Sequence, residues 1–128
     1  MPAGDDLRTI HSAQQFDRVL QRARDLIHDR GLTLFAEIDH SRNALDAGLA
    51  MPATRVLVFG SGTAGTPLML RAPDIALELP LRLLIRVRDD GTTDVVYRDP
   101  DALAAAFGIA DLVPAIAGLR AIAEAAAA

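Results

Sequence analysis

Three groups of residues in this chain have the types and spacing for chemistry. The first is Glu37, Asp39 and His40. Glu37 and Asp39 are two apart in an alternating segment, so they share one side of a strand. A carboxylate beside an imidazole can serve acid–base work or contribute to a metal site. A metal centre wants three protein ligands, and the other imidazoles are only His11 and His28. His28 falls on the polar side of a helix near its end, where positive charge suits the helix dipole. No metal or cofactor is expected. His40 reads either as a solvated residue at a helix start or as a ligand contact. In an enzyme, Asp39 would orient His40 as the general base.

The second group is Gly60-Ser61-Gly62-Thr63-Ala64-Gly65, followed by Thr66-Pro67. It spells G-x-G-x-x-G between a strand and a helix, the setting of a dinucleotide-binding turn. That reading fails on context. Pro73 cuts the following helix short, and no second parallel strand ends in an acid about 20 residues on. Two readings remain. The glycines supply positive φ in a turn, or N–H groups along Thr63–Pro67 hold a small anion at a helix start. Thr66 as cap and Pro67 at the first position predict a helix beginning there.

The third group is Arg82, Arg86 and Arg88, on one side of an alternating strand with Leu84 among them. They read as a solvated face paired with Asp94 and Asp99, or as an anion-facing stripe. Leu84 on that side suggests cover by a partner subunit. The hydroxyls Ser12, Ser41 and Ser61 lie outside any G-x-S-x-G elbow.

Behind these groups stand the elements that must position them. Leu7–His11 reads as a strand. Ser12-x-x-Gln15 resembles a capping box, and Phe16, Val19, Leu20, Ala23, Leu26 and Ile27 recur at helical spacing, with Gly31 as the left-handed stop. Leu32, Leu34, Ala36 and Ile38 alternate with Thr33, Phe35, Glu37 and Asp39, which predicts a strand with one face, the apolar first set, on the core. His40–Leu49 reads as a short helical turn with Ala44, Leu45 and Leu49 inward. Arg55–Phe59 and Leu81–Arg88 are strands. Asp90-Gly91 marks a hairpin, and Thr93–Arg98 returns. Asp99-Pro100 opens a helix that Gly108 closes. A last helix is expected over about 112–124 with Asp111 as its cap, and the alanines of 125–128 are expected to fray. Long crossover helices are missing, so the class is α+β. About five antiparallel strands pack on an N-terminal and a C-terminal helix.

Composition narrows function further. The chain has 128 residues, which fits one domain, with 51% hydrophobic and 23% charged residues. With 0 cysteines, it has no disulfide, thiolate site or cysteine nucleophile. All 13 basic residues are arginine, which excludes lysine chemistry. Net charge is −4, with 0 Trp, 1 Tyr and 4 Phe, against a nucleic-acid partner. The start Met-Pro-Ala-Gly-Asp-Asp is not a signal peptide. Asp111, Pro114, Arg120 and Glu124 interrupt the apolar C-terminal stretch, so no membrane span is read. Cytoplasm is the expected location.

Gly31-Leu-Thr-Leu-Phe-Ala-Glu-Ile-Asp-His40, Ala47-Gly48-Leu49, Val58-Phe-Gly60, Gly65-Thr-Pro-Leu-Met69, Leu79-Pro-Leu81, Asp90-Gly91 and Tyr97-x-Asp-Pro100 occur in this order. Together they resemble the domain-of-unknown-function 302 family, from about residue 16 to 109. The resemblance implies a TATA-binding-protein-like α+β fold, often as a homodimer. It supplies no catalytic residue. Two departures stand out: Gly60-Ser61-Gly62 where members usually have Gly-Asn-Pro, and Arg82 where they usually have lysine.

The first functional expectation is a homodimeric module binding a small anionic or amphiphilic ligand. Its site would combine Gly60, Ser61, Gly62, Thr63, Gly65, Thr66 and Arg82, with His40 nearby. The second is an enzyme using Asp39 and His40. The third is an interaction domain without a small ligand.

Overall fold

The computed structural model describes residues 6–128. Residues 1–5, most of the start read above as lacking a signal peptide, lie outside the described residues. Five strands form one sheet: β1 (Leu7–Ser12), β2 (Thr33–Asp39), β3 (Thr54–Gly60), β4 (Leu81–Val87) and β5 (Thr93–Arg98). Their order is β1-β5-β4-β3-β2, and every neighbouring pair is antiparallel. The helices are α1 (Phe16–Asp29), α2 (His40–Asp46), α3 (Gly62–Arg71), α4 (Pro100–Ala106) and α5 (Gly118–Ala127). Two short 3-10 helices cover Pro73–Leu77 and Ala110–Ala115. The α+β architecture expected from the element order is present.

Period-two patterning gives the sheet one apolar face. Leu57, Phe59, Leu83, Ile85, Val95 and Tyr97 are buried there, under Val19, Leu20, Ala23 and Ile27 of α1 and Leu119, Ile122 and Ala123 of α5. The α1 stripe is the one its spacing predicts. Gly31, at φ 71, closes that helix, and the Leu32 N–H reaches back to the Ile27 carbonyl at 3.1 Å. A second apolar cluster lies at one end of the sheet. It contains Leu68 of α3, Ile75, Leu103 and Ala104 of α4, Ile109 and Ile116. Leu81 packs against both clusters.

Several boundaries differ from the sequence expectation. Helix α1 starts at Phe16, and its N-cap Gln15 makes no side-chain cap. Ser12 instead ends β1 opposite Thr93, and its hydroxyl accepts the Gln14 N–H at 3.1 Å. Sheet pairing therefore takes Ser12 before the helix can. Strand β2 keeps the expected side only as far as Leu34, which stands opposite buried Phe59, and past the bulge its sides are reversed. Ile38 stands opposite Val56, on the face away from the helices, while Glu37 stands opposite buried Leu57. As an edge strand with a bulge between Leu34 and Ala36, it leaves Leu34, Phe35 and Ile38 exposed. Helix α2 buries none of its residues, and Leu45 and Leu49 face water. Helix α3 starts at Gly62, with Pro67 inside it.

The C-terminal helix does not start near Leu112. Pro114 lacks an N–H, the chain makes a 3-10 turn there, and α5 begins at Gly118. Asp111 caps nothing; it pairs with Arg71 at 3.0 Å. The alanine tail is not frayed. Ala126 and Ala127 are buried, and the Ala125 carbonyl accepts two N–H bonds from Arg22 of α1, at 3.1 and 2.9 Å. Alanine suits this contact because a larger side chain would push α5 off α1. Placing a carboxylate here by Ala126→Asp should destabilise the fold by about 2 kcal/mol or more. Urea unfolding measures this; a loose tail would leave the midpoint unchanged.

Candidate functional site

The glycine segment lines a cavity of about 240 Å³ at the seam between the two apolar clusters. Phe59, Leu81 and Leu119 form the sheet side, and Met69, Leu79 and Ile116 the other. Phe35 closes one edge, because the β2 bulge leaves it beside Gly60. No charged side chain lines the cavity, and its single side-chain hydroxyl is Ser61. Ser61 is the N-cap of α3. Its oxygen accepts from the Thr63 N–H at 3.1 Å and the Ala64 N–H at 3.4 Å. The N–H groups suggested for an anion are thus partly used by the chain itself.

Eight glycines are described, and they divide cleanly. Gly31, Gly48, Gly91 and Gly108 have positive φ, and none lines the cavity. Gly60, Gly62, Gly65 and Gly118 lack positive φ, and all four line it. The positive-φ reading of the glycine segment is therefore corrected: no backbone conformation there requires glycine. A methyl group at Gly65 would come no closer than 3.9 Å to Leu79 and Met69, and at Gly62 or Gly118 it would meet nothing within 4 Å. Alanine would fit, and in a helix it would be more stable by about 0.5–1 kcal/mol per site. Gly60 and Gly65 are half-buried in the cavity wall, and Gly62 and Gly118 are exposed at its mouth.

The other sequence candidates lie elsewhere. Thr63, Thr66 and Arg82 do not line the cavity. Arg82 is on the opposite sheet face and pairs with Glu78 at 3.1 Å. The β2–β3 register sets Thr33 opposite Gly60 and Asp39 opposite Arg55. Asp39-His40 and the glycine segment are thus at opposite ends of the sheet, about 20 Å apart along β2. Asp39 spends one oxygen on the Ser41 hydroxyl at 2.8 Å and the Arg42 N–H at 3.0 Å, and the other on Arg55 at 2.9 Å. His40 is exposed and makes no hydrogen bond among the described residues. Nothing there orients the imidazole.

The face away from the helices carries a polar row, Thr54, Arg86, Asp94 and His11, across β3, β4, β5 and β1. Buried Asp94 meets Arg86 at 2.9 Å and His11 Nδ1 at 2.6 Å. The Arg–Asp94 pairing expected from the hairpin is present, whereas Asp99 turns to Arg8 and Arg120. Beside this row runs an apolar one: Ile38, Val56, Leu84 and Val96. Among the described residues no cluster of His, Asp or Glu could hold a metal.

Residues 8–128 match the family described as Domain of unknown function DUF302. The chain belongs to this family. A crystal structure of an uncharacterised conserved DUF302 protein from Bacillus stearothermophilus has the same fold. Its TM-score is 0.80, with 14% identity and 96% of each chain covered. Fluoride-specific ion channel FluC 1 of Brucella suis is 32% identical over 98 residues, covering 77% of this chain but 39% of the channel. FluC 2 of Brucella melitensis matches at the same identity, over 36% of its length. The chain thus spans about two-fifths of these relatives. No helix among its described residues is long and apolar enough to cross a membrane.

In this DUF302 chain the Asp39 end carries a network of ion pairs. The Glu37 carboxylate is gripped by Arg24 of α1, one bond measuring 2.8 Å, and by Arg55 at 3.0 Å. The Arg24 bond, chiefly, holds the Glu37 pKa below its ordinary value. Asp39 is also held low, first by the Arg42 backbone N–H and then by the Ser41 hydroxyl. Depressed folded values mean the unfolded chain binds protons first as pH falls. The stabilisation is complete at neutral pH, shrinks below about pH 4.5 and is lost once the folded carboxylates protonate. Glu37→Gln should flatten that acid limb of a stability–pH curve measured by urea unfolding; an unchanged slope would show that the network does not stabilise.

Proposed function

We propose that this chain is a non-catalytic binding module of the cytoplasm whose seam cavity holds a small apolar or amphiphilic molecule. The observation that carries the reading is the set of four cavity glycines. Gly65 forgoes a more stable residue inside α3, none of the four is required by the backbone, and together they leave the walls and mouth of the apolar space without side chains. The cavity opens to solvent, and an apolar body that displaces water from its apolar walls gains free energy. The nearest polar groups are already engaged in capping α3, so no nucleophile with a partner base faces the cavity. The channel activity named for the Brucella relatives is not carried over to a chain that spans about two-fifths of their length.

The test uses naphthalene as a neutral fluorescent probe. Saturable binding is expected in the wild type, and Gly65→Leu, which fills the cavity, should weaken it at least tenfold without lowering the melting temperature. Equal binding by both proteins would place the probe elsewhere and remove the reading.

The module is further proposed to work as a homodimer. The row Ile38, Val56, Leu84 and Val96 forms an apolar stripe on the face no helix covers, flanked by arginines and Asp94 that would give a second copy its polar rim. Light scattering should report a dimer for the wild type and a monomer for Leu84→Asp. A wild-type monomer would remove this part.

A further inference from the structure

The cavity's size and its one polar group narrow what it can take. We infer that the ligand is a neutral molecule with an apolar body of about ten carbon atoms and a single hydrogen-bond-accepting oxygen, and that the Ser61 hydroxyl reads that oxygen. This rests on the binding-module reading above.

Size comes first. A dry cavity of about 150 Å³ takes one benzene ring. By proportion, the 240 Å³ here fits about ten carbons, a fused pair of rings or a short folded chain. Charge comes second. No Arg, His, Asp or Glu lines the cavity, so an ion drawn inside would lose water and gain no partner. The 13 arginines of the chain make this omission specific to the cavity and not to the composition.

Ser61 supplies the polar reading. A hydroxyl has two acceptor lone pairs and one donor hydrogen. The Thr63 and Ala64 N–H groups occupy the lone pairs. The hydrogen has no acceptor among the described residues. With its acceptor side turned to the helix, the half-buried hydroxyl is left to donate, to water at the open mouth or to a ligand oxygen that takes the water's place. A ligand carbonyl or ether oxygen would satisfy it, and a ligand that only donates would not. Gly60 and Gly62, on either side, carry no side chain to screen it.

The experiment compares tetralin, 1-tetralone and 1-naphthoate by calorimetric titration of the full chain. Tetralin and 1-tetralone share a ten-carbon frame and differ in one carbonyl. We expect 1-tetralone to bind about five-fold tighter than tetralin, the effect of one net hydrogen bond, and 1-naphthoate to bind weakest. Ser61→Gly keeps a tolerated N-cap residue and removes the donor, so the ketone's advantage should vanish. Ser61→Thr should restore it. Equal binding of tetralin and 1-tetralone would overturn the role of Ser61 and leave the cavity reading standing. Tightest binding by 1-naphthoate would overturn neutrality in favour of an anion site. If none of the three binds, the cavity reading falls as well.

Discussion

The apolar core of this protein is divided, and the rest of the molecule follows from that division. Helices α1 and α5 cover most of one sheet face, with Phe59, Leu57 and Ile85 fully buried beneath them. They do not cover the end near Leu81. There α3, α4 and the two 3-10 turns build a second cluster around Leu68, Ile75 and Ile109. Protein interiors normally close such seams to near-crystalline density. Here glycine stands at four seam positions where a side chain would begin to fill the gap. A void left by glycine costs dispersion contacts on every wall. A ligand in the seam would recover that cost.

Charge is arranged to leave the seam alone. The Arg24–Glu37–Arg55–Asp39 network lies at the other end of the sheet and ties α1 and α2 to the β2 edge. The buried Asp94 is compensated by Arg86 and His11 on the face no helix covers. Asp99 gathers Arg8 of β1 and Arg120 of α5. Each buried carboxylate has a guanidinium within bonding distance, as burial of charge demands.

Much of the fold was legible in sequence because its signals are local. The α1 stripe, the Gly31 stop, the Asp90-Gly91 hairpin and the alternation of Leu83 and Ile85 with Arg82 and Arg86 each depend on neighbours a few residues away. What was hidden depends on register. The sides of β2 were read correctly only as far as Leu34, because the bulge that follows turns Ala36 and Ile38 outward and Glu37 inward, toward Arg24. Asp39-His40 and Gly60 looked like parts of one site, but antiparallel pairing sends them to opposite ends. The glycines were visible, yet sequence cannot separate a glycine that needs positive φ from one whose missing side chain is the point. Phe35 from β2, and Ile116, Gly118 and Leu119 from the start of α5, reach the cavity from two distant segments, and no spacing rule joins them to the glycine segment. Gly118, a glycine within an alanine-rich helix, was the one available hint.

The central claim is that the seam is open space and not a gap that closes in solution. Crystals of the protein exposed to pressurised xenon test it directly, because xenon enters dry apolar cavities and is easily located. The account predicts a xenon atom between Phe59, Met69 and Leu119, and its loss in Gly65→Leu crystals. Crystals with no xenon there, and with α3 packed down onto the sheet, would contradict it.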